Sequence, residues 1–463
     1  MIEKAEYKAR RKALVKQFST EEGIIYIEGG NEASKAADTN HHPFRAAPTF
    51  KYFTGLNSPG SSFILDPNSG KFIVFAHQQT SKELEWQQPL PTHEEIKEMG
   101  ADEVYEPVKA EDKLREYGKN LALFGIEKKE GTGYRVFRLS HLQNTIADIR
   151  QKKSPAEIDA IRESIKATDL ALRYAMAAVQ PGKTEADITG VLDWVYRKQH
   201  ADHAFPPIVT QAGHILHAED NHQELRDGAL LLIDTGADLN GYMGDITRTI
   251  PVNGVYSPEQ RDIVQAVIDA HDEVIKNMKP GAQYQEDPEN KEGMSLYKVA
   301  SMVILDRLRD IGLIKGDLEE MYAADVHKLF FYHGLGHQLG VSTHDLAEFP
   351  TRGNKDKIRT RIDTLEKDMV LSVEPGTYFN PLKIYAVRQG DKAFPYLIRD
   401  KISRFVPLIG GGRHESDVLV TADGAENLSE FIPGTLKALE AIVGKGLDLF
   451  PNNADLEKAL KIA

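Results

Sequence analysis

Short apolar runs separated by turn residues characterise the first third of the chain, a pattern typical of strands in a mixed domain. Residues 63–65 and 72–75 are two such runs, with Pro67 and Gly70 between them, and they predict a β-hairpin. Residues 1–18 mix charged with scattered apolar residues, which predicts an amphipathic surface helix and not a signal peptide. We therefore expect a mixed α/β domain over residues 1–150.

The pattern changes after residue 150. Ser154 and Glu157 have the spacing of a capping box, and Pro155 occupies the first helical position. Apolar residues then recur on one helical face: Ile158, Ile161 and Ile165. A long helix is expected to begin here and to end at Pro181. With the apolar strands that follow it, residues 151–463 are expected to form a second domain of the α+β class.

Two aspartates occupy matched places on a predicted hairpin. The apolar run 229–233 ends on Asp234, and Asn240-Gly241 is the signature of a two-residue turn before a returning strand over residues 242–252. With that turn, Asp234 faces Thr247 across the ladder, and Asp245 lies on the same face roughly 7–8 Å away at the backbone. Both carboxylates are then close enough to reach one pair of cations. The alternative is a strand-end turn residue and a solvated acid.

Three histidines lie in a glycine-rich segment. His333 and His337 are four residues apart, and His344 follows them. The spacing resembles a zinc-protease helix, but Gly334 stands where the His-Glu-x-x-His motif has its glutamate, and glycines disfavour a helix. That class of protease is therefore disfavoured. A single histidine is more often structural than a ligand, whereas three within a dozen positions favour a site.

Two further acids repeat the arrangement seen at Asp234. Glu374 ends the apolar run 369–373 and precedes Pro-Gly. Glu415 lies between Arg413 and Asp417; on a strand the three share one face, where Arg413 can neutralise and orient the acids beside it. Surface charge is the alternative for either acid alone. Because burying an unpaired carboxylate costs several kcal/mol, acids repeated at the ends of apolar strands indicate a cation.

Composition narrows the chemistry further. The 463 residues suffice for two domains, and with 41% hydrophobic and 27% charged residues the chain has an ordinary globular composition without a membrane-spanning run. A net charge of −13 disfavours nucleic acid as a partner. The absence of cysteine excludes disulfides and thiolate catalysis, and it leaves carboxylate and imidazole as metal ligands.

Four segments together resemble the proline-specific peptidases of the pita-bread fold, the family of aminopeptidase P and prolidase. They are residues 214–251, 333–345, 373–376 and 413–415, and they occur in the family's order and spacing. Residues 50–55 and the region of Pro59 resemble the family's creatinase-like amino-terminal domain. The resemblance implies an α+β pita-bread catalytic domain over residues 151–463, preceded by the smaller α/β domain over residues 1–150.

The resemblance also implies a set of site residues. The expected metal ligands are Asp234, Asp245, His337, Glu374 and Glu415, with Asp245 and Glu415 binding both ions. Glu374 is the expected proton shuttle, and the expected catalytic and substrate-side residues are His217, His333, His344 and Arg413. This hard, oxygen-rich ligand set suits two Mn²⁺ ions, with Co²⁺, Zn²⁺ or Fe²⁺ as alternatives. His414 and Ser416 depart from the family, which has an apolar residue and an acid there.

Two activities fit this family. The long interval between Glu374 and Glu415 resembles the insertion of prolidases, so an Xaa-Pro dipeptidase is favoured over an Xaa-Pro aminopeptidase acting on longer peptides. A dipeptidase must recognise the carboxylate after proline, and Arg359 and Arg361 are nominated for that contact, the alternative being solvated loop charges. A binding relative without catalysis is the remaining alternative.

The same interpretation gives the expected surroundings of the protein. The substrate is a small peptide with proline in second position, and neither nucleic acid nor a membrane is expected as a partner. We expect a homodimer or homotetramer in the cytoplasm.

Overall fold

The computed structural model of the protein describes residues 2–18, 24–37, 40–117, 120–124, 135–136, 139–218, 222–286, 293–346 and 364–445. The chain divides into two compact units, and the first change from one to the other lies between Gln151 and Lys152. Both units contain helices and strands. Among the described residues, no helix is both long enough and apolar enough to cross a membrane.

Among its described residues, the first unit contains a six-stranded mixed sheet and a separate two-stranded pair. Its elements are α1 (Lys4–Phe18), β1 (Ile24–Glu28), β2 (Ser34–Ala37), β3 (Asn40–His41), α2 (Pro48–Thr54), β4 (Ser62–Leu65), β5 (Phe72–Phe75), α3 (Ser81–Leu84), α4 (His93–Glu98), β6 (Glu103–Tyr105), α5 (Ala110–Glu116), β7 (Asn120–Phe124), β8 (Arg135–Val136) and α6 (Leu139–Arg150). In the described part, six strands have the order β6-β5-β4-β1-β7-β8, and β2 pairs separately with β3. The predicted hairpin is confirmed, because β4 and β5 pair antiparallel with Leu65 opposite Phe72.

The amino-terminal helix α1 differs from the prediction on one face. Arg10 and Arg11 are only 4% and 5% exposed, although charged residues of an amphipathic surface helix ordinarily face solvent. Their guanidinium groups donate to the carbonyl oxygens of Tyr52 and Phe53 in the last turn of α2, at 3.0 and 2.7 Å. Basic side chains stabilise the carbonyls at the end of a helix, and their methylene stems tolerate burial. A pattern of charges alone does not distinguish such arginines from solvated ones.

The second unit carries the predicted site residues. Its elements are α7 (Pro155–Ala178), α8 (Glu185–Lys198), β9 (Asp202–His203), β10 (Ile208–Thr210), β11 (Leu230–Thr235), β12 (Ala237–Leu239), β13 (Tyr242–Met243), β14 (Ile246–Pro251), α9 (Pro258–Asn277), α10 (Leu296–Asp310), α11 (Leu318–Ala323), β15 (Val370–Val373), β16 (Gly376–Tyr378), α12 (Pro381–Ala386), α13 (Arg399–Ile409), β17 (Gly411–Arg413), β18 (Ser416–Val420), β19 (Ala425–Asn427) and α14 (Leu436–Ile442). Its described strands pair as β10-β11-β14, β13-β12-β9, β15-β18-β19 and β16-β17.

The predicted capping box at the start of α7 is formed. Ser154 Oγ accepts from the Glu157 N–H at 3.3 Å, and the Glu157 carboxylate accepts from the Ser154 N–H at 3.1 Å. The helix ends at Ala178, close to the predicted stop. Its Thr168 Oγ1 accepts from the N–H of Ala237 at 2.9 Å, so this helix supports the chain between β11 and β12.

The aspartate hairpin has the predicted turn. Asn240 and Gly241 both have positive φ, 57° and 87°, as a two-residue type I′ turn requires. The resulting register places Asp234 opposite Thr247, as the sequence predicts.

The predicted single strand over residues 242–252 is wrong, because it is interrupted at Gly244 and Asp245 between β13 and β14. A Cβ on Gly236 would lie 1.8 Å from the Gly244 carbonyl oxygen, so the chains approach here more closely than side chains permit. The Asp245 N–H donates to a carboxylate oxygen of Asp417 at 3.0 Å. Periodicity alone does not reveal such a local irregularity in a ladder.

A second antiparallel pair carries the two glutamates. β15 pairs with β18, with Val373 opposite Ser416. Glu374 and Glu415 are the next residues beyond that end of the ladder. The interval between them contains β16, α12, α13 and β17.

Candidate metal centre

Three predicted ligands form a compact cluster in the second unit. One ligand atom each of Asp245, His337 and Glu415 lie within 4.8 Å of one another. His337 Nε2 lies 3.4 Å from Asp245 Oδ2 and 3.6 Å from Glu374 Oε1. Asp245 and Glu415 are 4% and 2% exposed, so these carboxylates are removed from solvent. The structure therefore brings four of the five predicted ligands together.

Asp234 joins this group through Arg413. Its Oδ2 accepts from Arg413 Nη2 at 2.5 Å, and its buried Oδ1 has no hydrogen-bond partner in the described part of the chain. Arg413 was predicted to act on Glu415 and Asp417. Burial raises the pKa of Glu415, and the charge of Arg413 opposes that rise and so favours the ionised form of the carboxyl. The acid that Arg413 hydrogen-bonds, however, is Asp234 and not Asp417. Residues two apart share a face only while a strand is continuous, and this one is interrupted between β17 and β18.

The buried carboxylates oppose one another's ionisation. Burial, followed by Glu415 and Asp234, raises the pKa of Asp245 well above its ordinary value. Burial, followed by Glu374 and Asp234, does the same to the pKa of Glu415. A divalent cation stabilises the charged forms of such acids. The crowding, the unpartnered Asp234 oxygen and a donor set of four carboxylates and one imidazole all fit divalent metal ions.

Strand β15 holds His337 and Glu374 side by side. The His337 N–H donates to Ser372 Oγ at 3.1 Å, and the Ser372 N–H donates to the His337 carbonyl oxygen at 2.9 Å. A Cβ on Gly336 would lie 2.2 Å from the Ser372 carbonyl oxygen, so glycine permits this approach. His337 Nδ1 lies 3.1 Å from the Gln338 carbonyl oxygen, which fixes the proton on Nδ1 and leaves Nε2 as the ligand atom.

The other predicted histidines lie around the cluster. His333 Nδ1 is 3.7 Å from Glu374 Oε2, and the rings of His344 and His337 are 4.2 Å apart. Burial lowers the pKa of His333 to about 3. Desolvation, followed by His337, lowers the pKa of the partly exposed His344 to about 4. The exposed His217 is close enough to contribute to both shifts. His333 and His344 are therefore neutral at pH 7.

Two hydroxyl groups that the sequence did not single out complete the contacts. Thr247 Oγ1 donates to Glu415 Oε2 at 2.6 Å. The Tyr378 hydroxyl lies 2.7 Å from His333 Nε2 and accepts from Arg413 Nη1 at 3.2 Å. The hairpin register was a signal for Thr247, since it placed that residue among the acids. No residue pattern marks Tyr378.

The dipeptidase interpretation depends on the length of the interval between Glu374 and Glu415. The two ends of this interval are hydrogen-bonded to each other. The Phe379 N–H donates to the Gly410 carbonyl oxygen at 2.9 Å, so α12 and α13 form an excursion from the β16–β17 pair. Arg359 and Arg361 lie outside the described residues, and their nomination stays a prediction.

Comparison with known families adds an independent finding. Residues 159–422 match the model of metallopeptidase family M24, which is more than half of the chain. The chain belongs to metallopeptidase family M24. Residues 7–123 of this M24 member match the N-terminal domain of aminopeptidase P.

Individual relatives are similar along nearly their whole length. The Xaa-Pro aminopeptidase of Escherichia coli strain K12 is 28% identical over 472 residues, covering 96% of this chain and 98% of the relative. The structure of E. coli aminopeptidase P with the inhibitor Pro-Leu has a TM-score of 0.78 and 26% identity, covering 95% of this chain and 98% of that one. Proline aminopeptidase P II from Yersinia pestis has a TM-score of 0.77 and 27% identity, covering 95% and 99%.

Membership in family M24 confirms the predicted family, fold and enzyme class. The protein is a proline-specific metallopeptidase with the two-domain aminopeptidase P fold, a hydrolase that uses divalent metal ions. Between the two predicted activities, the comparisons favour the Xaa-Pro aminopeptidase over the dipeptidase. The preference for a dipeptidase depended on the length of an inserted segment. That length is only indirectly related to substrate size, because it does not tell which side chains contact the substrate.

Proposed function

We propose that this protein is an Xaa-Pro aminopeptidase that releases the amino-terminal residue from peptides of three or more residues with proline in second position. The main support is the similarity to the E. coli Xaa-Pro aminopeptidase over nearly the full length of both chains. We also infer that residues 1–150 form the amino-terminal domain and residues 151–463 the catalytic domain.

We infer that two ions are held by the five predicted ligands, Asp234, Asp245, His337, Glu374 and Glu415. The close approach of Asp245, His337 and Glu415 and the unpartnered Oδ1 of Asp234 support this assignment. Asp245 and Glu415 are the proposed bridging ligands. Mn²⁺ is the proposed metal, because oxygen donors dominate the set, with Co²⁺, Zn²⁺ or Fe²⁺ as alternatives. Bound divalent ions supply Lewis acidity and lower the pKa of water.

The remaining site residues move protons and hold the substrate. Burial raises the pKa of Glu374, so its carboxylate can accept a proton and then release it to the departing proline nitrogen. Neutral His333 and His344 are hydrogen-bonding groups suited to orienting the peptide and stabilising charge on its carbonyl oxygen. His217 is proposed to contact the substrate from the exposed side. Arg413 fixes Asp234 directly, and we propose that its charge also favours binding of the peptide.

Substrate length tests this proposal. With the Mn²⁺-loaded enzyme, kcat/KM is expected to be much higher for Ala-Pro-Ala than for Ala-Pro, and Ala-Ala-Ala serves as the control without proline. Exhaustive chelation is expected to abolish the activity and Mn²⁺ to restore it. Full activity in a metal-free preparation would contradict the metal assignment, and faster hydrolysis of Ala-Pro would contradict the aminopeptidase assignment.

A dipeptidase is the second candidate, supported by the α12–α13 excursion between Glu374 and Glu415. It requires a cation that binds the carboxylate following proline, for which Arg359 and Arg361 are proposed. In that case Ala-Pro is the better substrate, and Arg359→Ala or Arg361→Ala reduces the preference by slowing hydrolysis of the dipeptide alone.

We further propose a homodimer or homotetramer located in the cytoplasm. Light scattering on the purified chain tests the assembly, and a monomeric mass would contradict it.

A further inference from the structure

Two charged residues outside the ligand set link the two segments that contain the proposed bridging ligands. Arg248 lies on β14, three residues after Asp245, and Asp417 lies on β18, two residues after Glu415. Their exposed fractions are 1% and 0%. Charges buried so completely are costly unless they form specific contacts.

Arg248 contacts the backbone of the opposite strand. Its Nη1 donates to the carbonyl oxygen of Glu415 at 2.6 Å and to that of Thr247 at 2.9 Å. Its Nε donates to the carbonyl oxygen of Pro433 at 2.7 Å. Burial lowers the pKa of Arg248 only to about 10, so the side chain is a cation at neutral pH. One guanidinium group therefore ties together the backbone of three segments.

Asp417, which follows Glu415, contacts in turn the backbone of Asp245. Its Oδ2 accepts the backbone N–H of Asp245 at 3.0 Å, and its own N–H donates to Ser429 Oγ at 3.2 Å. The contact lies where the strand is interrupted between β13 and β14. Asp417 therefore anchors the backbone of Asp245 and is itself held by Ser429.

We propose that Arg248 and Asp417, the crossed pair, are positioning residues that fix the separation of the two bridging carboxylates. This inference rests on the proposed assignment of Asp245 and Glu415 as bridging ligands. The backbone of each ligand is held by a charged residue from the strand that follows the other ligand. Thr247 adds a third link, because its carbonyl oxygen accepts from the Glu415 N–H at 3.1 Å. Ligands that bind both ions must keep their spacing, so loosening either contact weakens metal binding.

Cobalt binding to the full chain after chelation tests the crossed pair without relying on activity. Asp417→Ala and Arg248→Met are expected to raise the Co²⁺ dissociation constant about 10- to 100-fold and to change the visible absorption bands of the bound ion. Asp417→Asn keeps the side-chain acceptor and is expected to recover most of the affinity. Arg248→Lys keeps the charge but not the forked donor, and it is expected to recover only part.

Two matched controls separate positioning from general stability. Glu185 is a buried carboxylate that accepts the N–H of Gln211 at 2.7 Å, and Lys298 is a buried cation 2.9 Å from Glu319. Glu185→Ala and Lys298→Met are expected to lower the melting temperature but to leave the Co²⁺ dissociation constant and spectrum unchanged.

Unchanged Co²⁺ binding in Asp417→Ala and Arg248→Met, or equal weakening in the two controls, would overturn the inference. If these variants do not fold, Arg248→Lys decides, because wild-type affinity in that variant contradicts a positioning role for the forked contacts. Asp245→Ala tests the underlying assignment separately. Wild-type Co²⁺ binding and spectrum in Asp245→Ala would mean that the ligand assignment itself is wrong.

Discussion

Two antiparallel strand pairs deliver the four carboxylates of the candidate metal centre in different ways. In the first, Asp234 lies on β11 and Asp245 directly precedes β14, and the chain between them turns back through the two-residue turn that joins β12 to β13. In the second, β15 and β18 are bordered by Glu374 and Glu415 and are connected through two helices. In both pairs one acid lies at the end of a strand and the other at the start of its partner. The same arrangement therefore arises from a local connection and from a distant one.

The length of the connection between paired strands decides whether their register can be derived from the sequence. In the first pair, the positive φ values at Asn240 and Gly241 fix the register, and with it the neighbours of every residue in the hairpin. In the second pair no turn fixes the register, so the position of Glu374 beside Glu415 depends on packing of the whole unit.

Removing one proposed bridging ligand from each pair is expected to have the largest effect. Asp245→Ala and Glu415→Ala should each lower kcat/KM on the order of a thousand-fold, because each loss weakens both ions. Metal analysis should show reduced content in both. Glu426→Ala, which removes an ion pair with Arg162 on the surface, is the control and should keep wild-type turnover. Equal losses in all three folded variants would contradict the assignment.

The close approach in the first pair offers the next test. Gly236→Ala places a Cβ 1.8 Å from the Gly244 carbonyl oxygen, whereas Gly412→Ala on β17 places one no nearer than 3.8 Å to its neighbours. We expect Gly236→Ala to lower the free energy of unfolding by about 3 kcal/mol, as overpacking does. Gly412→Ala should change it little. Denaturant titration measures both, and similar values would show that the approach is not tight.

The sequence predicted those contacts best that are made between residues close together along the chain. The α7 capping box, the turn at Asn240 and the pairing of Asp234 with Thr247 all depend on residues close in sequence. The contact between Arg413 and Asp234 joins residues far apart in sequence, so the nearest acids on the strand were predicted instead. Asp417 was noticed only as a neighbour of Glu415. Its hydrogen bond to Asp245 depends on an interruption that periodicity does not reveal.

The turn itself should contribute a smaller effect. Asn240→Ala places at φ 57° a residue whose side chain, unlike that of asparagine, cannot form a local hydrogen bond. This variant is expected to lower the free energy of unfolding by about 1 kcal/mol. Asn240→Gly tolerates this φ and should differ from the wild type by less. If denaturant titration shows no difference between the two variants, the positive φ at residue 240 does not strain an alanine, which would contradict this expectation.

At neutral pH the smallest expected effect concerns His271 on α9, whose ring centroid lies 4.6 Å from that of His414. Burial lowers the pKa of His271, and its Nε2 has no hydrogen-bond partner among the described residues. Since the unfolded chain takes up the proton more readily, stability is unaffected above about pH 6.5 and falls as the pH drops below that value.

His271→Phe keeps a buried ring that does not titrate. The free energy of unfolding of the metal-loaded protein should therefore fall less between pH 7 and pH 5 in this variant than in the wild type. The difference in slope should be at most about 1.4 kcal/mol per pH unit. Parallel pH dependence would show that His271 does not titrate differently in the folded chain.

The turn at Asn240 and Gly241 also has a consequence for the order of folding. A hairpin closed by two residues forms in about 1–10 μs, whereas pairing β15 with β18 requires closure of a far longer loop at a higher entropic cost. Asp234 and Asp245 are therefore expected to meet while Glu374 and Glu415 are still apart. An early species of this kind holds only half of the carboxylates, so divalent ions should accelerate the late steps of refolding and leave the earliest ones unchanged.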